Sequence, residues 1–296
     1  MAIGIDVGGT GIKGAAVDVA SGARLTSRHR VPTPAGGLPA DIAREVGLMA
    51  NAIRAELAAS SPAPAHAESS DRPGDSLSRS SANLPPEFRS HTGGDPDERL
   101  AALPVGVTLP GVVQRGIMRT AANIDRSWIG NDAAALFADA IGSPCVVVND
   151  ADAAGLAEAA FGEVHGLHGT TLVLTFGTGI GSALIHDGVL VPNFELGHLE
   201  LDGHPDIERF ASAKVIEREG ITLSEWASRV ARYLIHLELL FTPDRFVIGG
   251  SISKASAQYL PFPGVNAPVV PARFRNNAGI VGAAWLASRP ELHDRE

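Results

Sequence analysis

The chain has 296 residues, 45% of them apolar and 19% charged, and its 24 Lys and Arg against 33 Asp and Glu leave a net charge of −9. That length is enough for two domains with good cores, and the acidic balance argues against a nucleic-acid binder, whose mark is a basic patch. A single cysteine, Cys145, excludes an intramolecular disulfide and a multi-cysteine zinc site, and no run approaches the roughly 18 to 20 uncharged apolar residues of a membrane helix. The first residues show no basic stretch leading into an apolar one, so no secretory leader is expected and the cytoplasm is the expected location.

From Ala2 to Val31 the pattern predicts a hairpin sheet of three short strands: AIGIDV, then IKGAAVDV beyond a glycine turn, then ARLTSRHRV after the turn at Ser21 and Gly22. Ile42, Val46, Met49, Ile53 and Leu57 recur at spacings of three and four, which sets them on one face of an amphipathic helix covering that sheet. Residues 60–98 break the pattern: 22 of these 39 are Ser, Pro, Gly or Asp, and the only large apolar side chains are Leu77, Leu84 and Phe88. Such a segment cannot bury enough surface to offset its chain entropy, and it reads as a disordered surface insertion.

Order is expected to resume with the strand and turn of LPVGVTLPGVV, the helical DAAALFADAI, the strand VVVN and the alanine-rich helix ADAAGLAEAAFG. TTLVLTF, SALIH and VLVP make a second hairpin set, the last two joined at Asp187-Gly188. Thr222 and Glu225 form a capping-box pattern that opens a helix through Trp226, Val230, Leu234, Leu237 and Phe241. The strands RFVIGG and APVVPA and a final helix around NAGIVGAAWLA complete the chain.

The phrase GTGI stands twice, at Gly9 to Ile12 in MAIGIDVGGTGIKGAAV and at Gly177 to Ile180 in LTFGTGIGSALI. The likeness runs on, with Ala15 and Val17 matching Ala183 and Ile185. The period is far too long for a solenoid and points to two related domains. A glycine-rich turn between strands exposes several backbone N–H groups with no side chain in the way, which makes an anion cradle. Gly8, Gly9, Thr10 and Gly11 supply one such cradle, and Thr175, Gly177, Thr178 and Gly179 the other. One turn alone is as readily a plain hairpin, whereas a pair on facing domains would grip a phosphate chain from both sides. Thr10 and Thr178 add hydroxyl donors, Lys13 is a candidate cation at a reacting phosphoryl group, and Asp6 a candidate to orient a hydrated magnesium ion.

Taken together, DVGGTG, Pro110-Gly111, NDADAAG from Asn149, ELGH from Glu195 and VIGG from Val247 resemble the ROK family of sugar kinases, over almost the whole chain outside the insertion. Within that family LTFGTGIGSAL, ELGHLELDGH and NNAGIVGAA are most similar to bacterial polyphosphate glucokinases and polyphosphate/ATP glucomannokinases. The resemblance implies an α/β, two-domain actin-like ATPase (ribonuclease H-like) fold. Its small domain would comprise residues 1–121 and a C-terminal helix at 280–296, its large domain residues 122–279. It also implies Mg2+-dependent phosphorylation of glucose, and of mannose as a further acceptor, at the 6-hydroxyl. The donor would be polyphosphate or ATP, and the assembly a homodimer.

By the same resemblance Asp150 matches the catalytic base, with Asn149 beside it on a sugar hydroxyl. A carboxylate at a strand end can accept the proton of a weakly nucleophilic alcohol as the phosphoryl group transfers, although an isolated Asp at that place would be read as a helix N-cap. Glu195 and His198 match the sugar-binding ExGH, and Glu208 in ERFAS a third sugar carboxylate. Gly111 and Asn123 fall near the sugar, and Gly249 and Gly250 match the glycines against which adenosine lies. Many members carry a cysteine-rich zinc loop between the histidine and the last glutamate; only ten positions separate His198 from Glu208 here, without a cysteine. Structural zinc is therefore not expected, and His198 is to be held by its own backbone or by Glu200. Sugar-responsive regulators of the family place a DNA-binding helical domain ahead of the DxGGT strand, which here starts at residue 2, so an enzyme is expected. A non-catalytic actin-like assembly protein would have no use for Glu195, His198 and Glu208 together.

Overall fold

The computed structural model describes residues 1–60 and 96–295. Most of the expected insertion lies outside the described residues, but its margins differ from expectation: Ser60 still belongs to helix α1 (Pro39–Ser60), and Pro96 opens helix α2 (Pro96–Ala101). Leu100, just beyond the counted segment, packs against the first core and gives that last turn something to bury.

Strands β1 (Ala2–Gly8), β2 (Gly11–Val17) and β3 (His29–Val31) form an antiparallel ladder, to which β4 (Val105–Leu109) adds a parallel neighbour beside β1. After the small ribbon of β5 (Val113–Gln114) and β6 (Ile117–Met118) and helix α3 (Ala133–Ile141), β7 (Cys145–Asn149) completes the sheet in the order β3-β2-β1-β4-β7. The second sheet follows the same plan. Its strands are β8 (Thr170–Phe176), β9 (Ile180–His186), β10 (Val189–Val191), β11 (Arg245–Gly250) and β12 (Val269–Pro271), in the order β10-β9-β8-β11-β12. The two copies of GTGI therefore occupy equivalent places, each in the turn between the first and second strands of its sheet.

Two expectations need correction. The third strand was expected from Ala23, yet only His29 to Val31 join the ladder, with a lone bridge from Arg24 to Val17. The Ala16 amide donates to the Thr26 hydroxyl (3.0 Å), so a side chain occupies the place of a ladder partner there. The expected division after residue 121 also cuts through the first sheet, because β7 lies beyond it; the chain passes to the second sheet only after β7.

α1 and α3 cover the outer face of the first sheet, and α1 buries the five apolar residues of its stripe, Ile42, Val46, Met49, Ile53 and Leu57. The outer face of the second sheet is closed by α7 (Leu223–Phe241), which begins with the full capping box of Thr222 and Glu225, and by the short α5 (Glu208–Ala211) and α6 (Lys214–Glu219). Between the sheets lie α4 (Asp150–Phe161), on β8 and β9, and α8 (Ala278–Ala287), on β1, β2 and β4, and the two helices pack on each other. Both are apolar or small almost all round, the composition of a helix with no solvent face.

α8 meets both α4 and β4 backbone to backbone. A Cβ added at Gly282 would lie 1.8 Å from the Ala153 carbonyl oxygen, and one at Gly106 2.0 Å from that of Ala283. Because the obstructing atoms are main chain, no rotamer change makes room. Gly282→Ala is expected to part α4 from α8 and cost about 1–3 kcal/mol, the usual toll of overpacking. Thermal unfolding measures this directly, and an unchanged Tm would mean that the helices separate freely.

Candidate active site

β7 ends in Asn149, which is buried and hydrogen-bonded through both ends of its side-chain amide. Its Oδ1 accepts the amides of Ala151 (2.8 Å) and Asp152 (3.0 Å), capping α4, while Nδ2 donates to the Gly111 carbonyl (3.0 Å). The capping duty that an isolated Asp150 would be given belongs instead to its neighbour. Asp150 is the first residue of α4, and its side chain stays open to solvent.

Two other carboxylates act on it. The Asp150 pKa is pushed up to about 7, first by the crowd of protein around it, then by Asp6, with Glu195 adding a smaller push; the amides of Ala151 and Asp150 itself oppose the rise. Water still reaches the group, which tempers the burial contribution, but the charge of Asp6 acts whether or not the site is wet. Asp150 therefore stands between one carboxylate from the first half and one from the second.

On the first side, Asp6 Oδ2 pairs with Lys13 Nζ (3.1 Å) and Oδ1 accepts from Thr108 Oγ1 (3.1 Å). Gly9 and Thr10 form an exposed turn tip, buttressed by the Thr33 hydroxyl, which donates to the Gly8 carbonyl. Gly9 rests so close to Asn123 that a Cβ would lie 2.7 Å from the Asn123 carbonyl oxygen. With Thr33, Gly36, Gly37, Asp125 and Arg126 these two residues line a cavity of about 500 Å³.

The second turn is built differently. The Gly177 amide donates to the Gly179 carbonyl and the Gly177 carbonyl accepts from the Lys214 amide, both at 3.0 Å, leaving Thr178 at the tip. Phe176, just before the turn, is locked edge-on against Trp226 and Tyr233. Gly249 and Gly250 pair with Thr175 and Phe176 across the sheet, so the end of β11 comes beside this turn. Gly250 has φ +81° and no room for a Cβ against the Phe176 backbone, so its glycine is required by the fold itself.

Glu208 ties this turn to the remaining candidates, since its Oε2 accepts the Ile180 amide at 3.1 Å. Glu195 has its pKa raised by burial first; His198 lowers it and Glu208 raises it further. His198 is oriented by neither its own backbone nor Glu200: its Nδ1 meets Asp206 Oδ1 at 3.1 Å, and its Nε2 lies 3.9 Å from Glu195 Oε2. A tight turn bridging Leu201 and His204 folds the chain back and delivers Asp206.

Asn193 is a second residue that the sequence reading passes over. Its amide donates to Asp152 Oδ2 (2.8 Å) and its Oδ1 accepts the Val113 amide (3.1 Å), so the approach to Glu195 is fastened both to α4 and to the loop of Gly111. Among the described residues no set of three or more His, Cys, Asp or Glu is arranged to hold a metal ion, and no helix is long and apolar enough to cross a membrane.

Two sheets of one design, with a glycine turn at the same place in each and a carboxylate between them, set the geometry of the site. The profile of the ROK family matches residues 95–211. Over 98% of its length the chain is 38% identical to the polyphosphate glucokinase of Mycobacterium tuberculosis, of which it spans 92%. The crystal structure of the inorganic polyphosphate/ATP-glucomannokinase of an Arthrobacter species is 46% identical, with a TM-score of 0.78 over 97% of this chain and 98% of that one. A ROK family glucokinase from Streptomyces griseus, solved with glucose and AMPPNP, shares the fold at 22% identity and a TM-score of 0.66, over 97% of this chain and 99% of that one. The chain belongs to the ROK family.

The shift on Asp150 has a consequence for stability. In an unfolded chain an aspartate titrates near about 3.9, so between that pH and about 7 the folded state holds the extra proton, and its stability falls as pH rises through the window. Asp150→Asn removes the charge and is expected to raise Tm at about pH 8, with the gain fading toward about pH 4. Melting curves at the two pH values check the sign, and a gain that does not depend on pH would show that the carboxylate carries no strain.

Proposed function

We propose that the protein phosphorylates glucose at its 6-hydroxyl, taking the phosphoryl group from inorganic polyphosphate or ATP, with Asp150 as the general base. The observation that carries the reading is the state of Asp150: freed from capping, open to the cleft, and raised to a pKa of about 7. A base poised near the working pH is deprotonated often enough to act and basic enough to take a hydroxyl proton. The relatives named above, which act on glucose with polyphosphate or on glucose and mannose with polyphosphate and ATP by their names, support the same acceptor and donors.

In this reading Glu195, His198 and Glu208 receive the ring hydroxyls, and a site so built rejects molecules that lack them. Asp206 Oδ1 orients the ring through Nδ1 of His198, which leaves Nε2 to face the sugar. Asn149 spends one amide hydrogen on Gly111 and keeps the other for a hydroxyl beside Asp150, with Gly111 and Asn123 bounding the sugar. The Gly8–Gly11 and Thr175–Gly179 turns cradle the donor through their amides, Lys13 meets the transferring phosphoryl group, and Gly249 and Gly250 leave a flat wall for adenosine. Mannose, differing from glucose at a single carbon, is a second acceptor.

Both Asp6 oxygens already have partners in Lys13 and Thr108, which fits a carboxylate facing the water shell of a donor-bound Mg2+ rather than one holding the bare ion. When bound, the ion would neutralise charge on the donor's phosphates. The protein's own part is to hold the alcohol and the donor together and to take the proton at Asp150.

Asp150→Asn is expected to lower kcat by about 10²- to 10⁴-fold while glucose binding, followed by calorimetry, persists. Retention of more than about a tenth of wild-type kcat would remove Asp150 from the base role, leaving Asp152 as the next carboxylate to test. Asp206→Asn reaches the site through His198, its other partner being the exposed Arg209, so KM for glucose should rise about tenfold, the worth of one charge-assisted hydrogen bond, with kcat nearly unchanged. A fall in kcat with constant KM would contradict that assignment. Turnover with ATP and none with polyphosphate would make the protein an ordinary glucokinase.

A further inference from the structure

We propose that the edge of the first sheet at β3 holds the distal part of a polyphosphate chain, with Arg28 and Arg30 as the residues that grip it. The inference rests on the polyphosphate reading above and names a binding surface outside the two glycine turns.

Thr108, Asp6, Lys13 and Arg30 are successive partners across β4, β1, β2 and β3, and directly opposed residues project from the same face. The row thus leads outward from the carboxylate beside Asp150 to the open edge of the sheet. Lys13 is partly neutralised by Asp6, but Arg30 is exposed and has no hydrogen bond or ion pair among the described residues. Its Nε lies 3.6 Å from where a Cβ at Gly11 would stand, so the guanidinium rests against the bare backbone leaving the first turn.

Arg28, exposed just before β3, donates only to Asn277 Oδ1 (3.3 Å), and Arg275 nearby is exposed and unpaired among the described residues. Asn277 precedes α8, whose Gly279 lies against Asp6, so these cations border the same face as the row. The nearby acids are committed elsewhere: Asp6 to Lys13 and Thr108, and Glu56 to Ser27 and His29. In a chain of net charge −9, three uncompensated guanidinium groups beside a phosphate turn are suited to a polyanion, which arginine binds in bidentate fashion.

Direction separates the two donors. β3 is the edge farthest from β7, after which the chain crosses to the second half, so a ligand running along Arg30 and Arg28 leads away from Gly249 and Gly250. ATP, tied toward those glycines by its base, ends before this edge, whereas polyphosphate repeats its charge and continues. No exposed aromatic ring accompanies the arginines among the described residues, so the surface lacks the stacking platform of a single-stranded nucleic-acid site.

The test is the double variant Arg28→Gln, Arg30→Gln, whose exposed positions leave the core intact, assayed with long-chain polyphosphate, tripolyphosphate and ATP at saturating glucose. Binding of long-chain polyphosphate to the protein without glucose is measured alongside, by fluorescence anisotropy. The expected result is a rise of about tenfold or more in KM for long-chain polyphosphate, a weaker salt dependence of its binding, and KM values for ATP and tripolyphosphate within about twofold of wild type. An unchanged KM for the long chain, or an equal rise for all three donors, overturns the assignment. If the wild-type protein turns over ATP alone, the donor reading fails by itself and the binding arm decides the track. Equal polyphosphate affinity in wild type and variant, or single-stranded RNA competing as well as polyphosphate, then rejects it.

Discussion

One side-chain amide sets the conditions for the rest of the site. Asn149 caps α4, holds the Gly111 carbonyl and ends the fifth strand of the first sheet, so three elements are located by a single buried group. Because those hydrogen bonds satisfy the first amides of the helix, the carboxylate of the next residue is spared the capping role, and the amides of Ala151 and Asp150 lower its proton affinity less than burial and Asp6 raise it. Were Asp150 itself the cap, its oxygens would be engaged by the backbone and its proton affinity lowered. The neighbouring Asn thus takes the capping duty that an aspartate at a helix start ordinarily performs.

A set of carboxylates so close together works against the fold that holds it. Asp6 and Glu195 both repel Asp150, and Glu208 repels Glu195. The relief is local and partial: Lys13 for Asp6, His198 for Glu195, and the Ile180 amide for Glu208. Sites that shift proton affinity in this way give up stability for function. The single amide at Ile180 also fastens a carboxylate proposed for the sugar to the backbone of the turn proposed for the phosphates.

What could be read from the sequence was local. Glycine turns, the stripe of α1 and the capping box of α7 are written within a few residues, and the GTGI repeat disclosed that the halves share one plan before either sheet was seen. Asp206 and Asn193 escaped notice because their partners, His198 in one case and Val113 and Asp152 in the other, meet them only after the chain folds back; nothing in the spacing of PDIERF or VPNFEL signals a contact. The third strand was overdrawn for a related reason: the Thr26 hydroxyl takes a ladder position, and propensity does not record a side chain standing in for backbone. The boundary after residue 121 failed because membership of β7 in a sheet is a tertiary fact. The candidate base was reached through resemblance, and the reason it is free to act lay in its neighbour.

The contact between α4 and α8 has a mechanical side. It is made largely of main chain, methyl groups and glycines, with Gly282 against Ala153 and Leu156 and Leu286 among the few long side chains. Ridges of leucine or phenylalanine would give the two helices a small number of discrete seats and a repacking barrier between them. Small residues on both faces let the two helix axes come closer than such ridges would allow. The clearance between the halves is thus set by the absence of a β-carbon at Gly282, and Asp6 and Glu195, on opposite sides of that contact, inherit the spacing it fixes.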